Sequence, residues 1–146
     1  MVDHMELNQA QQGFLESNPS AAMITVGENG IPKAVRVGVA MVDGAIWSSG
    51  TRDRVRTARL REDPRCTLFV FGPGFDALTL ETTVEILDDS DVAERSVRLF
   101  RQMQARPEGL LMWYGEELDE PAFRQAMIDQ GRVIYQFDVD KAYGLR

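Results

Sequence analysis

Two dipeptides constrain the first half of this chain more than anything else in it. Asn29-Gly30 and Asp43-Gly44 are hairpin-turn signals, because these residues accept the positive φ values of tight turns. Between them residues 33–42 alternate, with Val35, Val37, Val39 and Met41 on one face and Arg36 pointing away from the valines. A strand held between two hairpins belongs to an antiparallel sheet. Its neighbours are residues 22–26 before it and the returning strand 45–49 after it. Further apolar alternation marks strands at 66–71, at 78–87 (Leu78, Leu80, Thr82, Val84 and Ile86 on one side) and at 132–139 (Val133, Tyr135, Phe137 and Val139).

Helical signals are fewer. Leu7, Phe14 and Leu15 mark one face of a short N-terminal helix that ends at Asn18-Pro19. Asp53 is placed to cap a helix over an arginine-rich stretch that closes at Glu62-Asp63-Pro64. Residues 88–104 have helical periodicity, with Val92, Val97, Leu99, Phe100 and Met103 as core contacts. Asp119 caps a helix starting at Glu120-Pro121, whose buried face is Ala122, Phe123, Ala126 and Met127. The apolar residues 110–114 fit helix or loop. Five or six antiparallel strands with few helices predict a mainly β fold, a closed or half-closed β-barrel with added helices. No linker, repeat or low-complexity tract divides residues 1–146, so one domain is expected.

Charge is distributed unevenly. Of sixteen basic residues, six lie within fourteen positions: Arg52, Arg54, Arg56, Arg59, Arg61 and Arg65. That window carries +3 in a chain of net −7. An acidic protein that gathers arginine in one place has the makings of a local anion site, whereas diffuse attraction to nucleic acid or an anionic membrane needs the opposite balance. The bland alternative is a solvated helix face, with Arg59 paired to Glu62 or Asp63. Against it, the cluster holds no lysine, and arginine favours forked contacts to phosphate. It also follows Ser48, Ser49, Gly50 and Thr51, where backbone can approach a ligand. Arg36 could add a second cation beside Ser48 and Ser49, through the hairpin at Asp43-Gly44.

Trp47, Phe75, Trp113 and Tyr114 are candidate ring-stacking partners. Phe75 leads them, because it follows the Gly72-Pro73-Gly74 loop. Other chemistries lack support. His4 is the one histidine, near a terminus expected to fray, so no nucleophilic triad is expected. No His or Cys set has metal-ligand spacing. No phosphate-loop or dinucleotide-binding glycine motif occurs. Cys66 is the one cysteine and reads as a buried filler, with a cytoplasmic home as the default. The first eight residues lack the order of a signal peptide, and no apolar run is long enough to span a bilayer. An enzyme built this way leaves the hard chemistry to a cofactor.

At this point the residues resemble a family. Residues 22–26, Asn29-Gly30-x-Pro32, the strands 33–49, and Arg54-Val55-Arg56-Thr57-x-x-Leu60-Arg61-x-Asp63-Pro64-Arg65 are together similar to the pyridoxamine 5′-phosphate oxidase-like (PNPOx-like) flavin and deazaflavin split-barrel proteins. The match is closest to the branch that uses coenzyme F420, which the C-terminal segment Met127 to Leu145, ending in Tyr143-Gly144-Leu145, also resembles. The resemblance implies an FMN-binding-type split β-barrel and a homodimer with cofactor sites at the subunit interface. It places a phosphate site at Ser49, Gly50, Arg54, Val55 and Arg56, with Thr57 beside them. Relatives often carry lysine where Arg56 stands. The position of Arg36 lies near the cofactor ring, and arginine there resembles the FMN enzymes, which keeps FMN open beside F420. Phe75 matches an aromatic position near the cofactor.

The expected function is an oxidoreductase that binds coenzyme F420 at Arg54 and Arg56. Its ring would lie along the strands of Arg36 and Ser48, passing a hydride to a small unsaturated or conjugated substrate. The alternatives are a non-catalytic carrier or sensor of such a cofactor, and an FMN-dependent oxidase or reductase. No residue stands out as a proton donor.

Overall fold

The structure is a computed structural model that describes residues 4–145; the sequence reading over Met1 to Asp3 lies outside the described residues. Helix α1 (Gln9–Ser17) is followed by β1 (Ser20–Val26), β2 (Pro32–Gly38), β3 (Ala40–Val42) and β4 (Ala45–Thr51). Then come α2 (Val55–Glu62), β5 (Arg65–Phe71), β6 (Ala77–Leu87) and α3 (Val92–Gln104). The chain ends with β7 (Leu111–Trp113), β8 (Glu116–Leu118), α4 (Glu120–Asp129) and β9 (Arg132–Tyr143). Seven strands form one antiparallel sheet in the order β2-β1-β5-β6-β9-β4-β3, and β7-β8 form a separate hairpin.

The strand expected over 33–42 is in fact two. Residues up to Gly38 pair with β1, so that Arg36 lies opposite Ala22. From Ala40 onward the chain pairs with β4, with Ala40 opposite Trp47. Between them Val39 leaves both ladders and donates its N–H to Pro19 O at 3.1 Å. The two edges of the sheet are therefore successive pieces of one segment, which is possible only if the sheet curls until its edges meet. A strand cannot run straight through that meeting point, because its hydrogen-bonding directions must serve different partners on either side. Ser48 ties the junction by donating its hydroxyl to Gly38 O at 2.6 Å.

The core lies inside the curl. Met23, Leu68, Val70, Leu78, Leu80 and Tyr135 are all 1% exposed or less, alternating along their strands as the period of two requires. Each buried leucine contributes about 1.5–3 kcal/mol relative to exposure. Helix α1 closes one end with Leu15; its Asn8 and Gln11 form a reciprocal capping box. Strand β9 is buried on both faces, since α3 packs Leu99, Phe100 and Met103 against Ile134 and Trp47. A third cluster joins Phe123 and Met127 of α4 to Val97 and Leu111, while Ala122, expected in that face, is exposed.

The start of the described chain is pinned rather than frayed. Met5 donates its N–H to Val139 O at 2.8 Å, and His4 Nδ1 lies 2.8 Å from Asp140 Oδ1. Residues 110–114, read as helix or loop, make strand β7 and its turn. No helix among the described residues is long and apolar enough to cross a membrane.

Cys66 is 4% exposed, and burial pushes its thiol up to about 12. An ordinary cysteine sits near 8.5, so the reactive thiolate is depleted by roughly a few thousandfold near neutral pH. Labelling with a thiol reagent at pH 8 should be very slow in native protein and prompt in urea. Fast native labelling would contradict the placement of β5 against the core.

Candidate functional site

Strand β4 delivers Ser48, Ser49 and Gly50 to the start of α2. The expected cap, Asp53, is not the N-cap. Its Oδ1 accepts from Thr51 Oγ1 at 2.7 Å, and the helix begins one residue later with Arg54 in extended geometry and no side-chain cap. The physical reason is competition: the Thr51 hydroxyl holds the carboxylate that would otherwise reach the first-turn N–H groups. Of the first-turn N–H groups, that of Thr57 turns back onto Arg54 O at 3.1 Å, and those of Val55 and Arg56 have no side-chain cap.

The six arginines separate according to their partners. Arg52 and Arg61 share the carboxylate of Asp88, Arg52 at 2.6 Å and Arg61 at 3.1 Å. Arg65 forks onto Asp63 with bonds of 2.9 and 2.8 Å, and holds that carboxyl down to about 2. Arg59 donates to Thr25 Oγ1 at 3.1 Å rather than pairing with Glu62 or Asp63. Arg54 and Arg56 have no carboxylate within ion-pair distance among the described residues. Arg56 is half-buried, with its guanidinium 5.9 Å from the centre of the Tyr135 ring. Its Nε is buried without a hydrogen-bond partner, as is Ser49 Oγ. Buried polar atoms of this kind normally find partners, and their neighbourhood is open to a ligand.

Arg36, Ser48, Ser49, Arg54 and Arg56 line one cleft of about 380 Å³. Arg36 reaches it through the closure of the sheet at Gly38, not through a hairpin partnership with β4. The remaining walls are Val37, Gly38, Phe100, Met103, Trp113, Tyr114 and Arg132, and no carboxylate is among them. A second cleft, of about 680 Å³, shares Arg54 and Arg56 and continues over Lys33, Val55 and Arg59, with Asp53 its one acidic residue. A separate cleft of about 620 Å³, lined by Glu6, Glu16, Asp43 and Asp138, is acidic and unsuited to phosphate.

The other residues singled out in the sequence lie elsewhere. Val55 is 71% exposed on the second cleft. Thr57 is buried beneath the site, donating to Thr51 O at 2.6 Å and sharing a hydrogen bond with the Tyr135 hydroxyl. Gly50 is buried against the same phenol, which occupies the space a Cβ would need. Phe75 projects fully into solvent and lines neither cleft. Trp47 is packed under α3. Among the described residues no group of three or more His, Cys, Asp or Glu side chains could hold a metal ion.

Sequence reasoning missed Arg132. It is 7% exposed, donates Nε and Nη2 to Gln130 Oε1 at 3.0 and 2.8 Å, and lies 4.9 Å from the centre of the Trp113 ring. Burial pushes its pKa below the ordinary arginine value; the Tyr114 phenol opposes this, and Arg54 and Arg56 reinforce it. The one signal in the sequence was a charged residue directly before the apolar run Val133-Ile134-Tyr135.

The family model of pyridoxamine 5′-phosphate oxidase matches residues 7–146. No curated protein matches the sequence. Among solved structures the chain is similar to the conserved hypothetical protein Rv2991 from Mycobacterium tuberculosis, with a TM-score of 0.72 at 22% identity over 97% of this chain and 86% of that one. An F420 reductase aligns with a TM-score of 0.70 at 17% identity, covering 94% of this chain and 99% of the other. A FAD-binding protein from Mesorhizobium loti aligns at 0.63 and 13% identity, covering 93% and 92%. At these identities the shared property is the split-barrel fold.

The packing at Gly50 yields a direct test. Gly50→Ala drives a methyl group into the Tyr135 phenol and should lower unfolding free energy by about 1–3 kcal/mol. Urea denaturation measures it; an unchanged midpoint would mean that the phenol is not seated there.

Proposed function

Because the chain belongs to the pyridoxamine 5′-phosphate oxidase family, we propose that it is an oxidoreductase that holds coenzyme F420 with its phosphate on Arg54 and Arg56 and transfers a hydride to a small unsaturated or conjugated substrate. The observation that carries this reading is the sorting of the arginines. Asp88, Asp63 and Thr25 satisfy four of the six, and the remaining pair meets at the junction of two clefts beside an uncapped helix start. Guanidinium forks and first-turn N–H groups are the standard means of holding phosphate.

The residues present fit such a group. The unpartnered Arg56 Nε and Ser49 Oγ supply donors, and nothing acidic lines the first cleft. The second cleft supports the deazaflavin over FMN. FMN ends at its phosphate, whereas the deazaflavin continues past a phosphodiester into a tail of carboxylates, for which Lys33 and Arg59 offer cations. Once bound, the cofactor supplies the hydride chemistry. The chain's part is to bind, orient and exclude water. Ser48 commits its proton to Gly38 O, so toward a ligand it acts as an acceptor.

A homodimer completes the reading. Arg36, Ala22 and Phe69 form one cross-strand row, and the Phe71 ring stands 5.5 Å from that of Phe69. Both phenylalanines are exposed. A second copy laid on this face would cover them and roof the open side of the cleft at Arg36. Light scattering should report twice the chain mass.

Fluorescence titration with the deazaflavin and with FMN, side by side, tests the cofactor. Tighter binding of FMN would move the reading to a flavin enzyme, and tight binding without turnover of a quinone or activated alkene would make the protein a carrier. Arg56→Ala should weaken cofactor binding by about 1.5–3 kcal/mol. Arg61→Ala, whose guanidinium serves Asp88, should change it little. Equal effects from the two variants would argue against the site.

A further inference from the structure

One end of the arginine-lined cleft is built from parts that the cofactor reading leaves unused. The β7-β8 hairpin turns through Tyr114 and Gly115, both left-handed at φ 48° and 81°. It is locked onto α3, because the Gln104 side-chain amide donates to Met112 O and accepts from Met112 N, both at 2.9 Å. Arg106 of the preceding loop also pairs with Glu117 at 3.0 Å. The Trp113 ring is gripped edge-on by Phe100, Phe123 and Tyr114, with centroids 5.3, 5.7 and 4.8 Å away. The result is a rigid aromatic wall.

Charge then decides what the wall faces. The cleft holds four guanidinium groups and no carboxylate. A phosphodiester brings one negative charge, and a phosphate monoester at most about two. With a phosphate on Arg54 and Arg56, two cations remain, and Arg132 is the buried one. Its hydrogen bonds go to the neutral amide of Gln130. A buried cation whose partners are an amide, an indole face and the Tyr114 phenol, with no carboxylate among them, is an unfinished ion pair, since buried charges are normally matched by opposite charge. Arg36 lies at the exposed mouth of the cleft, whereas Arg132 is buried within the chain itself.

We infer that the hairpin end of the cleft is a second subsite that takes the substrate of the proposed reaction as a conjugated carboxylate, its apolar body against Phe100, Met103 and Trp113 and its carboxylate on Arg132. Calling this ligand the substrate rests on the oxidoreductase reading. The anion subsite itself rests only on Arg132 and the hairpin.

The test uses purified protein free of cofactor, titrated calorimetrically with 1-naphthoate and with its neutral analogue 1-naphthamide. The naphthoate should bind at least about tenfold more tightly. Equal affinities overturn the proposal, and this comparison requires no variant. Arg132→Ala, with its fold checked by circular dichroism, should erase the preference while leaving cofactor affinity within about twofold. A drop in cofactor affinity as large as that of Arg56→Ala, with the naphthoate preference intact, overturns it by making Arg132 a third ligand of the cofactor phosphate. Arg132→Lys should retain part of the preference, and Trp113→Leu should weaken both naphthyl probes alike. If neither FMN nor the deazaflavin binds the wild-type protein while the naphthoate preference persists, the cofactor reading fails and the anion subsite stands.

Discussion

A seven-stranded sheet has two edges, and an exposed edge is a row of unsatisfied backbone groups. This protein brings its two edges together by letting one segment, residues 32–42, serve as both. The departure of Val39 from either ladder is the hinge on which the rest depends. It curls the sheet around Tyr135 and its apolar neighbours. It sets Arg36 of β2 beside Ser48 of β4 although the two strands are not ladder partners. It also leaves the Gly38 carbonyl free for the Ser48 hydroxyl. The cleft is thus a product of sheet closure, and its strand walls are as rigid as the barrel itself.

The chemistry of the cleft is decided by where the carboxylates are. A run of six arginines is ambiguous, because guanidinium groups serve equally as surface pairing partners and as anion ligands. Asp88 lies 27 positions from Arg61 in sequence, yet it gathers both Arg52 and Arg61. Thr51 withdraws Asp53 from the helix start. Each of these contacts removes a competitor from Arg54 and Arg56. The positive potential there comes from the absence of neutralising partners within a chain that is acidic elsewhere, an arrangement suited to one anionic ligand rather than to a broadly sticky surface.

Much of this was legible in the sequence because it is local. The hairpin turns at Asn29-Gly30 and Asp43-Gly44, the alternation in β6 and β9, and the Asp119 cap with Pro121 behind it follow from backbone preferences within a few residues. What escaped was non-local. Nothing near Val39 announces a change of partner, since its valine alternation continues across the break. The turn at Tyr114-Gly115 places a tyrosine where asparagine or aspartate would have signalled a hairpin, so β7 read as helix or loop. Nothing beside Arg132 announces its surroundings, because Trp113, the ring it lies against, is brought to it from the separate β7-β8 hairpin. Phe75 drew notice for its loop, but an aromatic side chain beside glycines need not turn inward, and this one does not.

Arg132 also shows how stability and binding trade against each other in such a site. Burying a guanidinium without a carboxylate costs free energy that an apolar residue of similar volume would not. The cost is softened in three ways: the Gln130 amide accepts two of its N–H groups, the Trp113 face offers a cation–π contact of about 0.5–2 kcal/mol, and the Tyr114 phenol favours the charged form. None of these partners is a carboxylate. Had the fold needed only to be filled here, an aliphatic side chain would pack against Trp113 without repulsion from Arg54 and Arg56. A charge retained against three opposing influences, burial and two like neighbours, is best understood as held in reserve for an anion that arrives from outside.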